Sequence, residues 1–115
     1  METARTLSRP SVLVKGFQGE LELLTRHIRL LQFVQKHGPI GIIRLSTLLG
    51  VPKHKVRYSL RILEKEGYIK PSTQGAMSTE KVALFFEQIK TLLAGVTKEV
   101  HDLLDGLEKA DARHG

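Results

Sequence analysis

Residues 39–69 are PIGIIRLSTLLGVPKHKVRYSLRILEKEGYI, and this stretch specifies the fold of the 115-residue chain. One apolar helical pattern covers 43–49 and stops at Gly50, and a second covers 53–66 and begins after Pro52. Glycine is typical of the position after a helix, and proline is accepted at the first turn of one. The stretch therefore predicts two helices joined by a tight turn.

A further helix is predicted upstream, over residues 20–36, where apolar side chains recur every three or four positions. The tripeptide His-Gly-Pro at 37–39 predicts its end at a left-handed glycine cap, because proline does not continue a helix. Ile-Gly-Ile at 40–42 is suited to a brief strand. Residues 1–19 lack periodicity, so we expect a loose tail there, or a short strand at 11–14.

Downstream of the stretch the pattern becomes extended. Residues 68–70 predict a strand, 71–75 a turn of small and polar residues, and 76–78 a returning strand. Thr79 is a suitable N-cap for one more helix. A helix, a brief strand, two helices and a β-hairpin are, in this order, the elements of a winged helix-turn-helix, and the turn at 49–52 has the length that this motif needs.

Residues 39–69 resemble the winged-helix transcriptional regulators of the MarR and ArsR type. The resemblance rests on Leu-Gly-Val at 49–51, Val-Arg-Tyr-Ser-Leu at 56–60 and Leu-Glu-Lys-Glu-Gly-Tyr-Ile at 63–69, which stand at the spacing usual in that family. It implies that the 53–66 helix is the recognition helix and that the hairpin is the wing. Pro52 departs from the family, in which a small polar N-cap is frequent here.

The amphipathic pattern of the predicted recognition helix agrees with DNA binding. If Val56, Leu60 and Leu63 face the core, the opposite face carries cations, which neutralise phosphates, and arginines, which also pair with guanine in the major groove. The candidate DNA-binding residues of this helix are Lys53, His54, Lys55, Arg57, Tyr58 and Arg61. The wing adds Lys70, Ser72, Thr73 and Gln74, which we expect to touch a phosphate or the minor groove without defining the site.

The last third of the chain has the most regular pattern. Apolar residues alternate in steps of four and three, as in a coiled-coil seam. They are Val82, Phe86, Ile89, Leu93, Val96, Val100, Leu103 and Leu107. The preceding core is too small to cover so long a helix, so we expect it to pair with the same helix of a second chain, parallel or antiparallel. Glycine weakens helices, and fraying is expected beyond Gly106.

Together these patterns predict a mainly α fold with a small β-hairpin (α+β), a winged helix-turn-helix followed by a long C-terminal dimerisation helix. The expected divisions are a tail at 1–19, the DNA-binding domain at 20–79, the dimerisation helix at 80–109 and a frayed tail at 110–115. This division separates a segment for DNA from a segment for dimer formation.

The charge distribution favours a polyanionic partner. The net charge is +6, and residues 53–70 alone hold six basic and two acidic residues. Residues 80–115 hold five basic and seven acidic residues, so the excess of positive charge lies outside the last helix. A basic segment beside a slightly acidic one suggests that one part of the chain binds nucleic acid and the other does something else.

Composition also argues against several classes of protein. The chain has no cysteine, which excludes disulfides and thiolate zinc sites, and its five histidines are not spaced as metal ligands. No apolar run approaches the length of a membrane span, and no signal peptide is apparent, so we expect an intracellular protein. No motif indicates an active site, so we expect neither an enzyme nor a cofactor.

The leading hypothesis from the sequence is a sequence-specific transcriptional regulator of archaeal or bacterial type, cytoplasmic and nucleoid-associated, that binds double-stranded DNA as a homodimer. The first alternative is an architectural nucleoid protein, since the layout is similar to small archaeal chromatin proteins that join a winged helix to a coiled coil. The second alternative is a protein-interaction adaptor, against which the cationic helix argues. The target sequence, the direction of regulation and any small-molecule effector stay open.

Overall fold

The protein is described by a computed structural model over residues 11–114. Within these residues, four α-helices and one two-stranded antiparallel sheet are found, and the chain divides into two compact units, the second of which starts at Glu80. The elements are α1 (Val12–His37), α2 (Ile42–Leu49), α3 (Lys53–Lys65), β1 (Ile69–Ser72), β2 (Gly75–Ser78) and α4 (Lys81–His114). The predicted order of elements, and with it the winged-helix α+β class, is confirmed.

The first unit packs its three helices and the hairpin around one apolar core. The second half of α1, the start of α2 and one face of α3 each turn buried side chains inward, and the strand region closes the core. The core residues are Leu30, Leu31, Val34, Ile40, Leu45, Val56, Leu60, Leu63, Ile69 and Ala76. Burial of these side chains supplies the main favourable free energy of folding for the unit.

Helix α1 begins earlier than the sequence indicates. It starts at Val12, with Ser11 as N-cap, whose Oγ accepts a hydrogen bond from the Val14 N–H at 3.1 Å. The expectation of a loose tail or a strand over 11–19 was therefore wrong, and residues 1–10 lie outside the described residues. The early turns are exposed and carry apolar side chains at helical spacing, which a search for core-facing periodicity overlooks.

The end of α1 also differs from the prediction. Gly38 is extended, with φ −64° and ψ 152°, and not left-handed, and its N–H donates to the Val34 carbonyl at 2.8 Å. A side chain on Gly38 would meet that same carbonyl oxygen at 2.5 Å. The glycine is needed here because the chain passes close to the helix end, and not because of a positive φ.

The turn between α2 and α3 holds the two helices of the helix-turn-helix together. Gly50 caps α2 in the left-handed conformation with φ 69°, where glycine has no steric penalty. The Gly50 N–H donates to the Ser46 carbonyl at 2.9 Å, and the Ser46 hydroxyl donates to the Val51 carbonyl at 2.5 Å. Ser46 thus ties both sides of the turn and orients the start of α3.

The hairpin is anchored to the segment between α1 and α2. Strands β1 and β2 pair Ile69 with Ser78 at one end and Ser72 with Gly75 at the other. Ile40 and Ala76 exchange two backbone hydrogen bonds, at 2.8 and 3.1 Å, so the brief strand predicted at 40–42 is a single bridging residue. Through this bridge the wing is joined to the core of the first unit.

The second unit consists of α4, which is helical to His114. The predicted fraying beyond Gly106 was wrong, because the helix continues through this glycine, and only Gly115 of the predicted tail lies outside the described residues. The helix begins at Lys81, two residues after the predicted N-cap Thr79, whose hydroxyl donates to the Gly67 carbonyl at 2.6 Å. Within residues 11–114, no helix combines the length and the apolar character that crossing a bilayer requires.

Candidate nucleic-acid interface

Helix α3 separates a buried face from a cationic one. It begins after Pro52, whose carbonyl accepts from the N–H groups of Lys55 and Val56 at 3.1 and 3.2 Å, so no side-chain cap is needed to start it. Its buried side chains are Val56, Ser59, Leu60 and Leu63. The cationic and polar residues predicted for DNA contact lie on the remaining surface of the helix, where they are exposed or half-buried.

One open groove collects most of these predicted residues. It is lined by Arg26 of α1 and by His54, Lys55, Arg57, Tyr58 and Arg61 of α3. Lys53 is exposed at the first position of α3 and does not line the groove. The groove is formed by lysine and arginine side chains, one imidazole ring and one phenol, and no carboxylate lines it among the described residues. Such a surface attracts polyanions.

Tyr58 offers an aromatic surface within this cationic groove. Its side chain is 45% exposed, so it does not serve only to cover the edge of the core. An exposed phenol beside arginines can stack on a sugar or contact a thymine methyl group, and its hydroxyl can donate to a phosphate. The groove therefore combines charge with an apolar contact surface.

An ion pair links α1 to α3 beside the groove. The Lys55 Nζ donates to a Glu22 carboxylate oxygen at 3.1 Å, with both side chains partly exposed. The hydrogen bond from Lys55 and its charge lower the pKa of Glu22. Because an exposed pair contributes little stability, phosphate can replace Glu22 at Lys55 at small cost.

A buried hydroxyl joins the same two helices. Ser59 is 0% exposed and accepts a hydrogen bond from the Arg26 Nε at 2.8 Å, while His27 Nδ1 lies 3.0 Å from the same Oγ. Burial lowers the pKa of His27, and the positive charge of Arg26 lowers it further. In the neutral imidazole, Nδ1 can accept a hydrogen bond from the Ser59 hydroxyl, so that this hydroxyl both accepts from Arg26 and donates to His27.

The wing presents fewer groups than its sequence suggests. The Ser72 hydroxyl donates to the Gly75 carbonyl at 2.7 Å and accepts from the Gln74 N–H at 3.2 Å, so it closes the turn. Lys70, Thr73 and Gln74 are exposed. The hairpin tip also lines a groove with Leu60 and Glu64, which places the wing along α3. Charge at the wing therefore comes from Lys70.

Sequence reasoning missed the contribution of α1 to this surface. Glu22 and Arg26 are four residues apart on one helix and carry no motif. Ser59 did give a signal, because it is a polar residue at a position where the 56–60–63 apolar spacing predicts a core residue. A hydroxyl buried at such a position requires partners, and these turn out to be on α1.

Two other kinds of site, a metal site and a cavity for a small ligand, were sought among the described residues. Within 11–114, no group of three or more histidine and carboxylate side chains is arranged to hold a metal ion. A mostly apolar open groove lies between α1 and the α2–α3 turn, lined by Leu21, Thr25, Leu49 and Val51 among others.

Comparison with protein families finds a match to the middle part of the chain. Residues 23–70 match the family model described as winged helix-turn-helix DNA-binding. The matched range runs from α1 through α3 into β1 and includes every residue that lines the cationic groove. Comparison with curated proteins found no match to the chain.

Proposed function

We propose that the protein is a transcription regulator that binds specific sites in double-stranded DNA as a homodimer, since residues 23–70 match the winged helix-turn-helix DNA-binding family model. The observation that carries this proposal is the cationic groove, in which five α3 side chains opposite the core stand together. The proposal assigns the chain no catalytic activity and no cofactor, and it places the protein with the DNA of the nucleoid, in the cytoplasm.

Helix α3 is suited to the major groove of DNA. A major groove of about 12 Å admits one α-helix. With the core face of α3 turned away, Arg57 and Arg61 stand one helical turn apart on the outer surface. Arginine forms bidentate hydrogen bonds with guanine O6 and N7, and lysine neutralises phosphate. The arginines therefore supply sequence preference, and Lys53 and Lys55 supply affinity.

The wing is proposed to support this contact without defining the sequence. Its exposed groups are one cation, Lys70, and the polar side chains of Thr73 and Gln74, while the Ser72 hydroxyl is used within the turn. Such groups suit a phosphate or the minor groove, where base pairs differ little. Shortening the hairpin is expected to weaken binding and to leave the preferred sequence unchanged.

The exposed stripe of α4 supports dimer formation. The seam residues Val96, Val100, Leu103 and Leu107 are exposed, Leu103 at 70% and Leu107 at 65%, whereas Val82 and Ile89 are buried in the single chain. Soluble monomers seldom leave a continuous apolar strip in water. We therefore place the dimer contact on the part of the seam from Leu93 onward.

Selection of bound fragments from random and genomic DNA tests this function. A regulator should enrich one motif, and a two-fold dimer should enrich two half-sites about 34 Å apart, one helical turn of DNA. Binding without enrichment would instead identify an architectural protein. That alternative has one observation in its favour: α3 carries no asparagine or glutamine, the side chains that pair with adenine. Absence of any binding to duplex DNA would favour the adaptor.

A further inference from the structure

The buried hydroxyl of Ser59 fixes one arginine of α1 against α3. Ser59 has no exposed surface, and its Oγ receives the Arg26 Nε at 2.8 Å. The second neighbour, His27 Nδ1 at 3.0 Å, can accept the hydrogen bond that the hydroxyl donates. Hydrogen bonds at both sides of a buried group restrict its geometry, so the Arg26 guanidinium is held in one orientation.

Arg26 keeps most of its donors available. A guanidinium has five N–H donors in a planar fork, and the Ser59 hydroxyl uses the one on Nε. The side chain lies half-buried at the wall of the groove that His54, Lys55 and Tyr58 also line. Its terminal nitrogens thus belong to the same surface as the recognition helix, although the residue is on a different helix.

The charges around this position select an anion. The groove holds no carboxylate among residues 11–114. Glu22 of α1, whose pKa the hydrogen bond and charge of Lys55 and, to a smaller extent, the charge of Arg26 lower, is hydrogen-bonded to Lys55. A planar guanidinium matches two oxygens of a phosphate at once. An oriented arginine in a groove with several cations and no carboxylate is therefore suited to a phosphodiester.

We propose that Arg26 binds a backbone phosphate of the DNA and that Ser59 positions it for this contact. The inference rests on the proposed function, and it extends the DNA-binding surface from α3 and the wing to α1. Phosphate contacts set the orientation and register of a protein on the duplex. Arg26 thereby fixes the depth and angle at which α3 enters the major groove.

The test measures the affinity of the full chain for a fluorescently labelled duplex by anisotropy at a series of salt concentrations. Arg26→Gln should weaken binding roughly tenfold at low salt and make the negative slope of log K against log salt less steep by about 0.9, the value for one phosphate contact. Arg29→Gln is the matched control, because it removes the same charge from α1 at a position that faces Leu48 and Leu49 and not the groove. Arg29→Gln should show the same slope of log K against log salt as the parent.

A second variant separates positioning from charge. Ser59→Ala retains the Arg26 charge and removes the hydrogen bond, so it should weaken binding by less than Arg26→Gln, and combining the two changes should add nothing to Arg26→Gln alone. Circular dichroism of each variant establishes that it is folded. Equal losses for the Arg26 and Arg29 variants, or parent-like binding by Arg26→Gln, would overturn the inference. A parent chain that binds no duplex would instead overturn the proposed function.

Discussion

Residues of the same charge on this surface have different environments. Lys55 is engaged by Glu22 and Arg26 by Ser59, while Arg57 and Arg61 stand exposed on α3. A side chain held by a protein partner delivers its charge at a defined place, and an exposed arginine is able to adjust to a base edge. The distinction leads to different expectations for substitution of arginines and lysines.

Alanine substitution on α3 should separate base contacts from phosphate contacts. Arg57→Ala or Arg61→Ala should cost about 1–3 kcal/mol of binding free energy at the preferred site and less on unrelated DNA. Lys53→Ala should weaken binding to all sequences alike and make the negative slope of log K against log salt less steep by about 0.9. Affinity measurements on specific and unrelated duplexes check both. If all three variants together bind as the parent does, the recognition-helix assignment fails.

His27 should make the stability of the first unit depend on pH. Its pKa in the folded chain lies below the usual value because of burial and, secondarily, of Arg26, and Ser59 faces it from α3. Below pH of about 6.5 the unfolded chain takes up a proton at this residue that the folded chain resists, so the free energy of unfolding falls with falling pH. Above this pH the effect is absent.

Chemical unfolding at several pH values measures this dependence. His27→Gln keeps an acceptor for the Ser59 hydroxyl and removes the titration, so its stability should fall less between pH 7 and 5 than that of the parent. His101→Gln is the control, because His101 is exposed on α4. The free energy of unfolding of this variant should change with pH as that of the parent does. If the free energy of unfolding changes equally with pH in the parent and in His27→Gln, His27 does not contribute to the pH dependence of stability.

At the scale of secondary-structure elements, the wing depends on one close approach of backbone to backbone. Gly75 has φ 131°, a backbone conformation that residues other than glycine rarely adopt. A Cβ at this position would lie 2.5 Å from the carbonyl carbon of Ile40. The two hydrogen bonds between Ile40 and Ala76 lie next to this contact. The hairpin can therefore stay attached to the core only with glycine at this position.

Gly75→Ala should accordingly destabilise the first unit. The strained backbone costs roughly 1–3 kcal/mol, and displacement of Ile40 would weaken the adjacent hydrogen bonds as well. Gly16→Ala is the matched control: it lies inside α1 with open space around it, so it should stabilise the chain by about 0.5–1 kcal/mol. Urea unfolding should thus give a lower free energy of unfolding for Gly75→Ala than for the parent and a higher one for Gly16→Ala. Equal stability of Gly75→Ala and the parent would contradict the close approach.

At the scale of the whole molecule, the two units differ in how much apolar surface they cover. The first encloses a core of side chains from all its elements, and the second is a single helix whose distal half leaves large apolar side chains in water. Burial of one such side chain is worth about 1.5–3 kcal/mol. The proposed homodimer would cover this stripe and would link two DNA-binding units.

Aspartate in the stripe should separate the dimer. Val96→Asp with Leu103→Asp places charges where the partner helix would bury them, which is costly without compensation. Ala94→Asp with His101→Asp puts the same charges on the opposite face of α4 at the same spacing. Sedimentation equilibrium should find a monomer for the first pair and a dimer for the second and for the parent.

DNA binding should follow the oligomeric state. Loss of the dimer replaces two linked half-site contacts with one, so the first aspartate pair should bind DNA far more weakly than the second. A parent chain that sediments as a monomer at micromolar concentration would end the dimer proposal, whatever the behaviour of the variants.

Patterns among neighbouring residues were sufficient to predict most of the secondary-structure elements. Periodicity, glycine and proline mark α2, α3 and the hairpin within a residue or two, because these signals act through neighbours along the chain. The same reasoning failed at both chain ends. Exposed apolar turns at the start of α1 and glycine within α4 do not prevent helix formation, although periodicity and propensity suggest an end there.

What the amino-acid order alone establishes is the winged helix, its cationic helix and the apolar seam of α4, because each is a repeat that a single element displays. Only the tertiary structure shows that Arg26, Glu22 and His27 of α1 stand beside α3. Their approach depends on how the whole core orients two helices that are far apart in sequence. No local pattern encodes that orientation, and the inferred contact of α1 with DNA follows from it.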